Sequence, residues 1–415
     1  MKTNIAKFAS RLTLHASLIF FASLLTLHAS LTAQQYGWKD ISANIPGDSL
    51  YHDLSDVFFI NDNEGWITSG SHAEIYHTTD GGETFEIQPT QYSCSAIHMI
   101  NEDEGYAGGE NGRVYRTTDG GENWIAIGSI GVTLYDISFP PGTSSSNPVG
   151  YACGDNGHIW EISSTLTNLN TGLTGNFYGI SAPSLNNVWA CGGNRVYYYD
   201  GTDFTSQIAP GGTFNDIHFI NNQEGWVVGD VGIIGFTTDG GANWNDQTNP
   251  DTQNRSLYGV FFLDSSIGWI VGFNGIILHT IDGGITWNME ASGLTTVFLR
   301  GVQFTSPTNG YLVGNKKTLL KYTEVSGIGE NVEALRLDIY PNPAEDKFKV
   351  QSQKFKVENA TIEIYDLNGR KLLEKHFPAG NETMEVDVSG LESGFYFVQL
   401  QFENQTITKK LIIQK

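Results

Sequence analysis

An aromatic residue recurs about every forty positions along this chain, each time just after a turn. Trp66, Tyr106, Tyr151, Trp189, Trp226, Trp269 and Tyr311 fall in register, with gaps of 40, 45, 38, 37, 43 and 42 residues. Self-similarity at such a period marks an array of supersecondary units, each too small to bury its own apolar face. The longest gap contains an insertion, Pro-Pro-Gly-Thr-Ser-Ser-Ser-Asn-Pro at 140–148.

Ahead of each aromatic runs a short strand with one specified face. Its apolar pairs are Val57 and Phe59, Ile97 and Met99, Ile137 and Phe139, Ile180 and Ala182, Ile217 and Phe219, Val260 and Phe262, Val302 and Phe304. The residue between them varies freely, which is the period-2 signature of a strand. Each repeat reads as four strands, a to d. The seventh stops after strand c, at Leu319 to Tyr322, and its missing strand d stands at the other end of the chain, at Gly37 to Ile41. A ring closed by strands from both ends protects its sheet edges. Residues 36–324 divide into seven units of about 41 residues, inside the usual blade length of roughly 40–50. The sequence therefore predicts an all-β protein: a seven-bladed β-propeller at 34–326, a linker at 327–336, and a small Ig-like β-sandwich at 337–415.

The turn between strands c and d carries Thr-x-Asp-Gly-Gly-x-x-Trp/Phe at Thr78 to Phe85, Thr117 to Trp124, Thr237 to Trp244 and Thr280 to Trp287. Repeat four has a clipped version at Asp200 to Phe204, and repeat three lacks it. The Asp side chain can bond amides of its own turn while the Gly pair supplies positive φ, so Asp80, Asp119, Asp239 and Asp282 are expected to be structural. These turns resemble Asp-boxes, which occur in sialidases, sortilin-type receptors and xyloglucan-cleaving glycoside hydrolases. The full order, Asp-Ile/Val-x-Phe, Glu-Gly-Trp, Gly-x-x-Gly and then the Asp-box, most resembles the photosystem II stability and assembly factor family over about 36–324. The resemblance implies a propeller; the expected role, with no catalytic constellation in the sequence, is a non-catalytic binding or scaffold module.

The C-terminal segment resembles the type A sorting domain of the type IX secretion system. The matching pieces are Leu337 to Pro343, Ile364 to Arg370, Leu391 to Phe397 and Lys409 to Ile413. That resemblance implies a partner, the type IX machinery, and passage across the outer membrane of a Gram-negative bacterium to the medium or the cell surface. The other end agrees. Lys2, Lys7 and Arg11 precede an apolar stretch from Leu12 to Leu31, and Leu31-Thr32-Ala33 is a plausible cleavage site, so residues 1–33 read as a signal peptide. After its removal no membrane span is expected.

Charge is unevenly spread. Residues 34–333 hold 9 Lys+Arg against 33 Asp+Glu, whereas 334–415 hold 11 against 12. So acidic a domain repels phosphate backbones, which excludes nucleic acid as a partner. Cys94, Cys153 and Cys191 are too few and too odd in number for a disulfide framework and read as small buried hydrophobes. His98 and His218 share the variable middle position of strand a and read as core or channel residues.

In a four-stranded blade the d–a connections and b–c turns open on one face of the ring. Two positions before the first Val or Ile of strand a, each blade contributes a residue to the channel mouth there: Ser55, Ser95, Tyr135, Tyr178, Asn215, Tyr258 and Arg300. Strand c begins nearby, bringing Arg113 and Arg195, with Arg255, Lys316 and Lys317 expected on the same side. Tyr135, Tyr178 and Tyr258 suit stacking, and Arg300, Arg195 and Arg113 suit a carboxylate or sulfate, with Asn215 among them. The expected ligand is a protein, peptide or glycan. Asp155, Glu110 and Asp230 on the same face argue against a uniformly basic patch.

The alternative reading is a glycoside hydrolase or sialidase-like enzyme. It requires two acids about 5–9 Å apart over a groove, or three arginines converging on one carboxylate. The arginines are spread over blades two, four and seven, and no catalytic residue is nominated. Phosphate-binding loops, nucleophile elbows and His-Glu-x-x-His pairs are missing. The acidic a–b turns lack the ligand spacing of a Ca²⁺ loop, so neither cofactor nor metal is expected.

Overall fold

Period-2 alternation builds the blades as the repeats suggest. The computed structural model describes residues 36–47, 52–169, 171–209, 211–291, 293–324, 338–351, 360–366, 370–380, 383–402 and 405–415. The signal peptide, the linker, and parts of the C-terminal motifs (Leu337 and 367–369) lie outside the described residues. Seven antiparallel four-stranded sheets follow one another, and each innermost strand a packs against those of both neighbours, the last against the first. The a strands are Leu54–Phe59, Cys94–Met99, Leu134–Ser138, Gly179–Ser184, Phe214–Phe219, Leu257–Phe262 and Leu299–Ser306. Among the described residues there is no α-helix. The ring closes through Tyr36–Asp40, which pairs antiparallel with Thr318–Glu324 as strand d of blade seven.

The repeated aromatics form the joints between blades. The Phe of strand a in one blade stacks on the strand-b aromatic of the blade before it. Phe262 lies 3.5 Å from Trp226, Phe304 3.4 Å from Trp269, Phe219 3.9 Å from Trp189 and Phe59 3.6 Å from Tyr311, ring centre to centre. Trp226, Trp269 and Tyr311 each follow a glycine that is needed for its absent Cβ, because the strand-a Phe of the same blade lies against it; Trp189 follows Val188, and its blade has Ala182 in place of that Phe. A Cβ on Gly268 would lie 2.5 Å from the Phe262 ring.

The Asp-boxes are tied internally and also latch neighbouring blades. Asp239 Oδ1 accepts the Thr237 hydroxyl at 2.9 Å and the Asn243 N–H at 2.8 Å, and Gly241 N donates to Thr237 Oγ1 at 2.9 Å. Asp80, Asp119 and Asp282 repeat the pattern. The first glycine carbonyl of each box then takes donors from the preceding blade. Gly283 O accepts Gln247 Nε2 at 2.8 Å and Trp226 Nε1 at 3.4 Å, while Gln247 Oε1 accepts Trp287 Nε1 at 3.1 Å. Gln88 and Gln207 do the same toward Gly120 and Gly240. At the closing joint, Tyr311 Oη and Lys321 Nζ take over, donating to Gly81 O at 3.0 and 2.7 Å. Blade seven has no Asp-box, so the buried Trp269 Nε1 of blade six lacks the acceptor its counterparts have.

The chain divides into two compact units, one ending at Glu324 and one comprising the C-terminal segment. In the second unit, a three-stranded sheet (Asp338–Tyr340, Lys347–Gln351, Thr383–Asp387) and a four-stranded one (Ala360–Tyr365, Lys371–Phe377, Gly394–Phe402, Gln405–Ile413) share a single core around Phe348, Val386, Ile362 and Val398. That is a β-sandwich.

Candidate functional site

The two faces of the ring are chemically distinct. On one, the first amide of each Asp-box bonds the a–b turn of its own blade, as Gly240 N does to Gln223 O at 2.9 Å. On the other, the b–c turn amide bonds the incoming d–a connection, as Asp155 N does to Thr133 O at 3.0 Å and Phe273 N to Ser256 O at 2.8 Å. This second face holds a cavity of about 470 Å³ at the mouth of the channel. Ser55, Ser95, Tyr135, Tyr178, Asn215, Tyr258 and Arg300 all line it. Arg113 and Arg195 stand outside that lining. Arg113 lies over the Tyr92 ring at 5.7 Å, and the exposed Arg195 pairs with Gly192 at the start of its strand.

Several of these groups are already engaged. Tyr135 Oη donates to Asp155 Oδ1 at 2.9 Å, and its phenol is pushed up to about 12, first by burial and then by that carboxylate. Its ring sits 5.2 Å from that of Tyr178. Asn215 Nδ2 donates to Asp230 Oδ1 at 3.1 Å and to Leu257 O at 2.9 Å. Arg300 Nε donates to Asn315 Oδ1 at 2.7 Å, which ties the guanidinium at the cavity wall through one of its nitrogens. Tyr178 and Tyr258 make no side-chain hydrogen bond among the described residues. Two cations expected on this face are spent inside the fold. Lys317 Nζ donates to Ile45 O and Gly47 O, and Arg255 is paired with the buried Asp251 at 3.0 Å.

The floor of the cavity was not legible as a site. Asp56, Asp136 and Asp216 line both the mouth and a deeper chamber of about 260 Å³, and so mark the waist of the channel. Each clasps two blades. Asp136 Oδ1 accepts the Ile137 N–H at 2.7 Å and Oδ2 the Ile180 N–H of blade four at 2.7 Å. Asp56 reaches Val57 and Ile97, and Asp216 reaches Ile217 and Val260. The matching position is Ala96, Gly179, Gly259 and Gly301 in blades two, four, six and seven. Small residues there leave room: a Cβ on Gly179 would meet Asp216 Oδ1 at 2.8 Å. Desolvation by burial pushes Asp56 up to about 6 and Asp216 up to about 7. Asp136 is also raised, by desolvation first and then by the charges of Asp216 and Asp56. The signal in the sequence was the Asp directly before Val57, Ile137 and Ile217. Deeper still, His218 Nδ1 accepts the Phe262 N–H at 2.9 Å, and burial pulls both His218 and His98 down to about 4, so both are neutral channel residues.

Comparison with known proteins places this geometry. The family described as photosynthesis system II assembly factor YCF48 matches residues 30–129 and 204–293, and the secretion system C-terminal sorting domain matches 338–414. No curated protein matches the chain. Among solved structures, YCF48 bound to D1 peptide is similar at 20% identity and a TM-score of 0.57, over 71% of this chain and 99% of that one. YCF48 from Cyanidioschyzon merolae gives 21% and 0.57, over 69% and 98%. The WD40 β-propeller domain of Doa1 gives 11% and 0.58, over 70% and 97%. At these identities the structural likeness speaks for the fold alone. The chain is a seven-bladed β-propeller that matches the YCF48 assembly-factor family in two stretches of its ring and carries a secretion system C-terminal sorting domain.

Proposed function

We propose that this is an exported, non-catalytic binding module whose channel mouth holds an extended peptide. One observation carries the reading. The same position of strand a, taken from all seven blades, lines a single cavity, and it supplies three tyrosines and one oriented arginine. Tyr178 and Tyr258 offer flat, amphipathic contact area at low entropic cost, and Arg300 offers a fork for a carboxylate. The solved YCF48 complex with a D1 peptide favours a peptide over a glycan. The sorting domain would hand the protein to the type IX machinery of a Gram-negative bacterium, for release or surface attachment. Hydrolysis of a glycan is the second reading, since three carboxylates of raised pKa lie at the cavity floor. Both oxygens of each are taken by backbone amides, which assigns them to holding the ring. The test is a peptide and glycan array probed with the full chain and with a Tyr178→Ala/Arg300→Ala double variant. Peptide binding that the double variant loses supports the reading. Turnover of an arrayed glycan favours the hydrolase, and binding indifferent to the two substitutions removes the mouth as the site.

A further inference from the structure

The rim of the mouth is not uniform. The first residue of the b–c turn is an acid in blades two, three and five: Glu110, Asp155 and Asp230. Each accepts a hydrogen bond from the neighbouring mouth residue or connection, from Ser93, Tyr135 and Asn215 respectively. Blade six builds the same turn, with Asn274 at φ 55, where the acidic blades have Asn111, Asn156 and Val231. Its first residue, however, is Phe273. Phe273 is 40% exposed, and Phe298, from the connection into blade seven, is 38% exposed. Their rings meet edge-on at 4.8 Å, and Phe298 lies 6.0 Å from Tyr258. An aromatic shelf thus runs outward from Tyr258 in the cavity lining to Phe298 and Phe273 beyond it. Arg300 stands two residues from Phe298, and this sector has no acid at its turn.

We propose that this shelf is an apolar subsite, and that the partner is an extended peptide carrying a large apolar side chain beside an Asp or Glu. The inference rests on the mouth being the peptide site. Continuity decides the occupant. Arg300 lines the cavity together with Tyr258, whereas Phe298 and Phe273 stand outside that lining, so a chain that leaves by this sector has Arg300 behind it when it reaches those two rings. Its carboxylate therefore lies within the segment, as a side chain, with the apolar residue next to it over Phe298 and Phe273. The acids of blades two, three and five repel that carboxylate and set the direction in which the peptide lies. Exposed aromatic anchors next to a guanidinium are the composition of a binding hot spot.

The test uses the full chain and fluorescence anisotropy with three labelled, end-capped hexapeptides. The first has phenylalanine next to glutamate, the second serine in place of the phenylalanine, and the third glutamine in place of the glutamate. The first is expected to bind at least about tenfold tighter than either other. A Phe273→Ala/Phe298→Ala variant should erase the difference between the first two peptides and keep that between the first and third. Arg300→Ala should do the reverse, and Tyr178→Ala should weaken all three. Both phenylalanines are exposed, so an unchanged thermal midpoint certifies the fold. Equal affinity of wild type for the first two peptides overturns the shelf and leaves the mouth reading standing. Sensitivity to the shelf variant with indifference to Tyr178→Ala overturns the mouth reading instead. No binding of any peptide overturns both.

Discussion

The carboxylate of Asp136 bridges two blades, accepting the N–H of Ile137 in its own strand and the N–H of Ile180 in the next, each at 2.7 Å. With Asp56 and Asp216 it staples blade one to two, three to four and five to six around the channel waist. The staples use charge where burial disfavours it, and this sets how the ring responds to pH.

Raised carboxylate pKa values stabilise the fold fully below the ordinary value of 3.8, and that contribution disappears as pH rises through about 6 to 7. The wild type should therefore lose stability between about pH 4 and pH 7, on the order of 3 kcal/mol for each of Asp56 and Asp216. Asp216→Asn, which removes the titrating group and leaves one of its two N–H partners without an acceptor, should lower stability overall and flatten that limb. Urea unfolding at a series of pH values measures it. A slope in the variant equal to that of wild type would contradict the account.

The Asp-boxes act in the opposite sense. Hydrogen bonds from Thr84 and Thr78 hold Asp80 down to about 2, and Asp119, Asp239 and Asp282 are lowered for the same reason. Their contribution is present above 3.8 and is lost as pH falls toward 2. Stability should peak where the two limbs meet, near pH 4. Asp80→Ala and Asp239→Ala together should weaken the acid limb and leave the alkaline one alone.

Gln247→Ala removes one donor from Gly283 O and leaves the Trp287 indole N–H without its acceptor. A loss of about 1–3 kcal/mol is expected in urea melts. Gln247→Glu should do worse than Ala, because an acceptor then faces a carbonyl.

Gly268→Ala changes nothing in backbone preference that an ordinary residue could not adopt, yet its Cβ would sit 2.5 Å from the Phe262 ring. The ring must then leave its 3.5 Å stack on Trp226. The expected loss is about 1–3 kcal/mol, together with a change in tryptophan fluorescence. Unchanged stability would show that the joint tolerates separation.

The ring is legible because its determinants are local and repeated. Val260 and Phe262, with their six counterparts, announce strand a, and Trp38 near the start supplies the strand that Tyr322 lacks. The mouth residues are legible for the same reason, since all seven share one register with those pairs. What escapes is whatever depends on a neighbouring blade. The Asp-Ile at 136–137 is visible, but its reach to Ile180 depends on the spacing of blades three and four, just as the room for Asp216 depends on Gly179 in the blade before it. Gln88, Gln207 and Gln247 belong to no motif in the sequence, and their role appears only when the next Asp-box is brought against them. Lys317 reads as a face cation, yet the wrap of Ile45 and Gly47 around blade seven takes its ammonium inside. Phe273 becomes an exposed shelf only because Phe298 arrives beside it from a separate connection.

The channel mouth, and not the Asp-box face, is the surface proposed to bind the peptide. Hydrogen exchange of the full chain, with and without the strongest peptide from the array, tests it most directly. The account predicts slowed exchange in the connections and turns around Tyr135, Tyr178, Tyr258, Phe273 and Arg300, with the Asp-box loops at 80–84, 119–123, 239–243 and 282–286 unchanged. Protection confined to those loops would contradict it.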